Sequence, residues 1–344
     1  MATDPFLEAV QAVRRHHAGL KPFLLPGETL KRAARNLRRQ DAPMASTVAG
    51  PDDQDHDLCF LTAGSAVVTQ EVDGERPESI RTLAPPTSFG TVGFALRTRR
   101  TARVVAMRPS TVFRSSPAAF DRIARDSPTV AVGLLRWACL DVVDWLRSSR
   151  GGSDTWSRRH AVRADSDRRF TSEPHGREGI PVDGGTQDAV YEILADLPAL
   201  PGARLRPLAE VLGDKVHLVT VDAGDAILAH RDRDGSLYLL LEGRAAVTSS
   251  DGQVLARFRA GGGPEDVLIG EIAFLAQGER SGTVVAETSS VLLEIPRASV
   301  GWMLTKHGDL AVALHLALLK TLCRRMTEVD ARRTDIATGG HRVS

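Results

Sequence analysis

The chain has 344 residues, 42% of them hydrophobic and 25% charged, with 44 lysines and arginines against 43 acids. That length is enough for two domains with separate cores, in a composition typical of a soluble globular protein. The near-zero charge balance excludes a bulk electrostatic pull toward nucleic acid or anionic membrane. Cys59, Cys139 and Cys323 are far apart and sit in apolar contexts, which reads as reduced core thiols. No apolar run reaches membrane-spanning length, and MATDPFLEAVQAVRRHH lacks the basic-then-apolar order of a signal peptide. A cytosolic (cytoplasmic) protein is expected.

In chain order, residues 6–17 and 27–36 are expected as helices, with Pro22 and Pro26 breaking the chain between them. Short β-rich segments follow to about Phe113, then helices over 118–125 and 127–147. The last of these, TVAVGLLRWACLDVVDWLR, is apolar on nearly every side, which predicts burial all round. Residues 148–187 are rich in Gly, Ser, Arg, Asp and Pro and read as a flexible linker. Its basic spots, Arg158-Arg159-His160 and Arg168-Arg169, are interleaved with acids, which weighs against a nucleic-acid surface.

A second set of elements then begins. Asp188 or a neighbour caps the helical AVYEILADL, and another helical stretch over 201–212 ends at Gly213. VHLVTVDAGDAIL alternates as strand–turn–strand, and 237–248 with 253–258 reads as a hairpin around Ser250-Asp251-Gly252. A glycine-rich loop over 260–266 leads to LIGEIAFLAQGERSGTVVA at 268–286. A strand over 290–295, a connecting hinge over 296–306 and a long helix over 309–332 complete the set, ahead of a tail at 333–344. That tail is too short for a helix-turn-helix domain, a kinase or a channel.

The two sets repeat one another. Leu58-CFLTAG-Ser65-AVVT corresponds to Leu237-YLLLEG-Arg244-AAVT, and Ser88-Phe89-Gly90-Thr91 to Leu268-Ile269-Gly270-Glu271. RTARVVA from Arg100 matches RSGTVVA from Arg280, with a nine-residue step from Thr91 or Glu271 in both copies. The chain is a tandem duplication.

The stretch 268–286 carries the chemistry. Gly270 lets the backbone approach a ligand, and the N–H groups of a one-turn helix point outward at its start. Arg280 adds a planar, permanently charged donor fork suited to phosphate. Glu271 is acceptor-only when ionised, so beside a phosphate its partner is a hydroxyl. These parts describe a pocket for a phosphate joined to a sugar.

At Ile269-Gly270-Glu271-Ile272-Ala273, followed by Arg280-Ser281-Gly282, the chain resembles the phosphate-binding cassette of cyclic-nucleotide-binding domains. That superfamily includes the catabolite activator protein and protein kinase A regulatory subunits. Only the family's leading Phe is replaced in the second copy. The resemblance implies an α+β fold, with two tandem double-stranded β-helix (jelly-roll-like β-roll) domains and flanking helices. The expected layout is a degenerate domain over 1–147, a linker over 148–187, a binding domain over 188–332 and the tail.

The resemblance also implies roles. Glu271 accepts the ribose 2′-hydroxyl, Arg280 pairs with the cyclic phosphate, and Ser281 with the backbone of Gly270, Glu271, Ile272 and Ala273 completes the cradle. The first copy keeps Gly90, Arg100 and Thr101 but has Thr91 at the carboxylate position. It is read as a degenerate site. The purine cover common in the family has no clear counterpart: Leu322, Met326, Val329 and Asp330 supply no aromatic. Cyclic AMP is the default ligand, with cyclic GMP and pyrimidine cyclic nucleotides open.

No zinc-ligand spacing, nucleophile elbow or P-loop appears in the sequence. A phosphate pocket without a general base or nucleophile argues for sensing rather than turnover, hence no enzyme, catalytic residue, metal or cofactor is expected. The expected output is a shift of the C-terminal helix toward a protein partner or a second copy. The alternatives are a scaffold with non-binding β-rolls, or a DNA-binding regulator using the Arg-rich linker.

Overall fold

The computed structural model describes residues 4–70, 78–149, 215–248, 254–262 and 264–337. The expected linker beyond Ser149, the helices over 188–212, the turn Ser250-Asp251-Gly252 and the end of the tail lie outside the described residues. Two compact units emerge: Met1–Val142 together with Leu322–Ser344, and Val143–Thr321.

The first unit opens with α1 (Pro5–His16), started by Asp4, whose carboxylate accepts from the Phe6 N–H at 2.8 Å, and by Pro5 in the first turn. Phe6, Ala9, Val10 and Val13 fall on one face and are buried. A 3-10 turn (Ala18–Leu20) and α2 (Glu28–Ala34) follow. The strands are β1 (Arg38–Ala42), β2 (Thr47–Ala49), β3 (Leu58–Gln70), β4 (Glu78–Leu83), β5 (Thr87–Phe89) and β6 (Arg103–Ser115). They pair in the order β1-β6-β3-β4, with β2 on β6 and β5 on β3. The short helix α3 (Thr91–Leu96) interrupts the strands, and α4 (Pro117–Asp126) and α5 (Pro128–Ser149) follow them. From Val130 to Val143 every residue of α5 is buried, as its unbroken apolarity predicts. The rings of Phe6, Phe60, Phe113 and Trp137 cluster, with centroids 4.8–6.4 Å apart, and fasten α1 and α5 to β3 and β6.

The second unit has β7 (His217–Val221), β8 (Ala226–Leu228), β9 (Leu237–Glu242), β10 (Arg244–Thr248), β11 (Val254–Arg259), β12 (Leu268–Ile269), β13 (Thr283–Ala286) and β14 (Ser290–Ile295). They form two four-stranded antiparallel sheets, β11-β10-β13-β8 and β12-β9-β14-β7. The helices are α6 (Pro264–Val267), α7 (Glu271–Ala276) and α8 (Ser299–Lys306), and α9 (Gly308–Ala337) starts in this unit, its residues from Leu322 on belonging to the first.

Four expectations are refined. The stretch 237–248 is two strands in different sheets, broken at Gly243, and only β10 makes the hairpin with β11. Strands β7 and β8 likewise part into separate sheets. The loop over 260–266 contains α6, entered at Pro264, where proline suits a first helical turn. The final helix also runs five residues past Arg332, to Ala337.

The duplication reaches the core. Val48, Ala49, Cys59, Leu61, Ala66, Phe89, Val104, Ala106 and Val112 are buried together in the first unit. Ile227, Leu228, Tyr238, Leu240, Ala245, Ile269, Val284, Ala286 and Leu292 occupy the matching positions in the second. Each unit is therefore a β-roll with flanking helices, in an α+β fold. No helix among the described residues is long and apolar enough to cross a membrane. Cys59, Cys139 and Cys323 are buried free thiols, and burial pushes Cys59 and Cys323 up to about 12.

Candidate functional site

The candidate site is built around α7. Gly270 precedes it at φ 89°, ψ 15°, a left-handed conformation open to glycine without a Cβ penalty. A second demand falls on the same residue: a Cβ there would collide with Nη1 of Arg280. The helix ends at Gln277, also left-handed, whose N–H returns to the Ala273 carbonyl at 3.0 Å. Glu271 heads the helix and is buried, as are Ala273, Phe274 and Leu275, while Ile272 is partly exposed. The first-turn amides of so short a helix lack intrahelical acceptors and present a positive end.

Arg280 has 1% of its side chain exposed. Its Nη1 donates to the Gly270 carbonyl at 3.0 Å. Its Nη2 donates to Asp234 Oδ2 at 2.8 Å and to the Ser236 carbonyl at 2.7 Å. The guanidinium also lies 5.9 Å from the Tyr238 ring centroid. Its Nε is buried without a hydrogen-bond partner. The structure thus brings Gly270, Glu271 and Arg280 together, whereas Ser281 stands exposed in the turn before β13.

The carboxylate that Arg280 engages is Asp234, not Glu271. Sequence reasoning missed this residue, along with Ser236, Tyr238, Glu294 and Arg297. Burial alone would push the Asp234 carboxyl up, but the Ser236 N–H, Arg280 and the Tyr238 hydroxyl outweigh it and hold it below the ordinary value. The Tyr238 hydroxyl is 2.9 Å from Asp234 Oδ2 and 3.2 Å from Glu294 Oε1. A signal was present in the repeat: Asp55 and Asp234 both lie three residues before the aligned strands β3 and β9.

The first copy has the same backbone. Gly90 sits at φ 75°, ψ 12°, and a Cβ on it would come within 2.6 Å of Arg100 Nη1. Arg100 is buried, pairs with Asp55, donates to the Asp57 carbonyl at 3.1 Å, and also leaves Nε unpartnered. The surroundings differ. Asp55 is shared with Arg114, whose Nε also reaches Asp57 Oδ2 at 2.9 Å. Burial raises Asp55, and the two arginines more than reverse it, so its carboxyl is held below the ordinary range. Thr91, where a carboxylate was expected, is buried and hydrogen-bonds the Cys323 thiol within the same unit. Thr101, like Ser281, is exposed. Arg103 spends its charge on Asp52 at 3.3 Å.

The sequence matches the family described as "Cyclic nucleotide-binding domain" over residues 40–127 and 218–307. Among curated proteins it is similar to the Pycsar effector protein BcPycTIR of Burkholderia cepacia, 29% identical over 143 residues. That match covers 40% of this chain and 45% of the relative, so it spans less than half of that protein. Among solved structures, similarity extends to the regulatory domain of Toxoplasma gondii PKA with cAMP. There the identity is 13% and the TM-score 0.30, over 96% of this chain and 99% of that one. The Thermus thermophilus catabolite activator protein matches at 22% identity and TM-score 0.34, over 42% of this chain and 65% of that one.

Proposed function

We propose that this chain, which belongs to the cyclic nucleotide-binding domain family, is a cyclic-nucleotide sensor whose ligand site is the second cassette. The observation that carries the reading is the buried Arg280, aimed at the start of α7 with one N–H unspent. A cyclic phosphate supplies the acceptor that Nε–H lacks and suits the positive end of the helix beside it. Glu271 heads the same turn and takes the ribose 2′-hydroxyl. Gly270, Ile272 and Ala273 contribute backbone to the cradle, and Ser281 closes on it from the exposed turn.

The protein acts without catalysis, in the cytoplasm, and passes ligand occupancy through α8 and α9 to a protein partner or a second copy. An effector-type output is supported by the name of the Burkholderia cepacia relative. Cyclic AMP is the first ligand to try. The first cassette, with Gly90, Thr91, Arg100 and Thr101, holds the fold and does not bind.

Calorimetric titration with cyclic AMP, GMP, CMP and UMP tests this. One of them is expected to bind. Arg280→Ala should weaken it about 30-fold or more, since truncating one partner of a buried hydrogen-bonded charge pair costs about 2–5 kcal/mol. Arg100→Ala should leave the affinity in place. A second reading, a non-binding scaffold, draws on one observation: Asp234 already matches the charge of Arg280. Silence from all four nucleotides would select it.

A further inference from the structure

Arg297 belongs to the segment between β14 and α8 and was not singled out by its sequence context. Its side chain reaches back to the candidate site. Nη2 donates to the Ala273 carbonyl at 2.7 Å and Nε to the Phe274 carbonyl at 3.2 Å. These are carbonyls near the C-terminal end of α7, where the dipole favours a cation. On its other side the guanidinium lies directly on the backbone of Gly235, so closely that a Cβ there would collide with it. Gly235 sits between Asp234 and Ser236, the two residues that hold Arg280. One side chain therefore touches both the cassette helix and the loop that anchors the phosphate-type arginine.

The main chain of the same residue belongs to the entry of α8. The Ser299 N–H bonds the Pro296 carbonyl at 2.9 Å and the Val300 N–H bonds the Arg297 carbonyl at 3.2 Å. A displacement of α7 therefore pulls on the turn that begins α8 and, beyond it, α9. Charge acts in the same direction. Burial and then the nearby positive Arg280 lower the Arg297 pKa, with Asp234 opposing them, so an anion on Arg280 relieves the repulsion between the two cations. The first copy has Pro117 at this place, which has no side-chain donor. It opens α4 instead, with Ser116 as the cap.

We propose that Arg297 is the positioning residue that couples occupancy of the Arg280 cassette to α8 and α9, a role that rests on the ligand reading above. The test is hydrogen exchange on the full chain, with and without whichever of the four cyclic nucleotides the titration selects. Wild type should gain protection over 270–281 and over 299–321. In Arg297→Ala the first gain should persist and the second fall about fivefold or more, the lower range of typical allosteric coupling. Arg297→Lys, which keeps the charge but not the fork, should fall between. If Arg297→Ala does not fold, Gly235→Ala applies the same test by displacing the guanidinium. Equal gains in both segments of either variant would overturn the coupling role, and so would loss of binding in a folded Arg297→Ala. No nucleotide binding by wild type would overturn the ligand reading itself, and this inference with it.

Discussion

In the first cassette Arg100 shares Asp55 with Arg114, while in the second Arg280 has Asp234 to itself and Glu294 takes the position of Arg114. In one copy Asp55 and Asp57 take Arg100 and Arg114, with Arg38 also 3.7 Å from Asp57; in the other Asp234 takes Arg280, and the Tyr238 hydroxyl lies between Asp234 and Glu294. The helices differ in the same sense. In the first unit Asp141 of α5 accepts from both the N–H and the hydroxyl of Ser88, each at 2.6 Å, tying the helix to the entry of the cassette. Thr321 of α9 is its counterpart, and its buried hydroxyl has no partner. One backbone design thus carries a shared charge network and a pinned helix in the first copy, and an Arg280–Asp234 pair with an unpartnered Thr321 hydroxyl in the second. In the first copy Thr91, Arg100 and Asp57 are buried and take part in holding the fold.

The largest expected effect would break the shared charge network. Arg114→Met leaves the buried Asp57 carboxylate with only the exposed Arg38, 3.7 Å away, and should cost about 3 kcal/mol in urea unfolding. Glu294→Gln at the matching position should cost less than about 1 kcal/mol, since its amide oxygen still accepts from Tyr238. Equal losses would remove the contrast between the copies. Next comes the pinned helix. Asp141→Leu leaves the Ser88 N–H and hydroxyl buried and unsatisfied, and should lower stability by about 1–3 kcal/mol. Thr321→Val removes an unsatisfied hydroxyl and should be neutral or stabilising by up to about 1 kcal/mol, read from the same denaturation curves.

The smallest effect sharpens what the copies share. Arginine and hydrogen-bond partners hold the Asp55 and Asp234 carboxyls below the ordinary value. Their contribution is present above that value and lost as pH falls through the depressed one. Urea midpoints measured from neutral pH downward should therefore drop on the acid side. Asp55→Asn and Asp234→Asn should each start lower at neutral pH and show a shallower drop. An unchanged acid slope in either variant would show that its carboxylate is not held as the geometry implies.

Much of this was legible in the chain. The duplication, the Gly-to-Arg spacing of both cassettes and the buried character of α5 all leave local marks: a repeated string, a fixed step, an unbroken apolar run. The glycines were legible as well, though half of their reason was not: Gly270 also makes room for Arg280. What escaped was where the buried charges go. Asp234 sits in a run of alternating Arg and Asp that reads as a solvated loop, and Arg297 in a proline-led turn.

The sequence by itself determined the fold, the repeat and the Gly-to-Arg spacing of both cassettes, because backbone conformation and hydrophobic period are written over a few neighbouring positions. Only the tertiary structure decided that Arg280 answers to Asp234, that Thr91 meets Cys323, and that Arg297 spans from α8 to α7. Those partners lie from about twenty to more than two hundred residues apart in the chain. A charged side chain is equally at home in water until folding buries it, so its choice of partner is fixed by the packing that removes the water rather than by its neighbours in sequence.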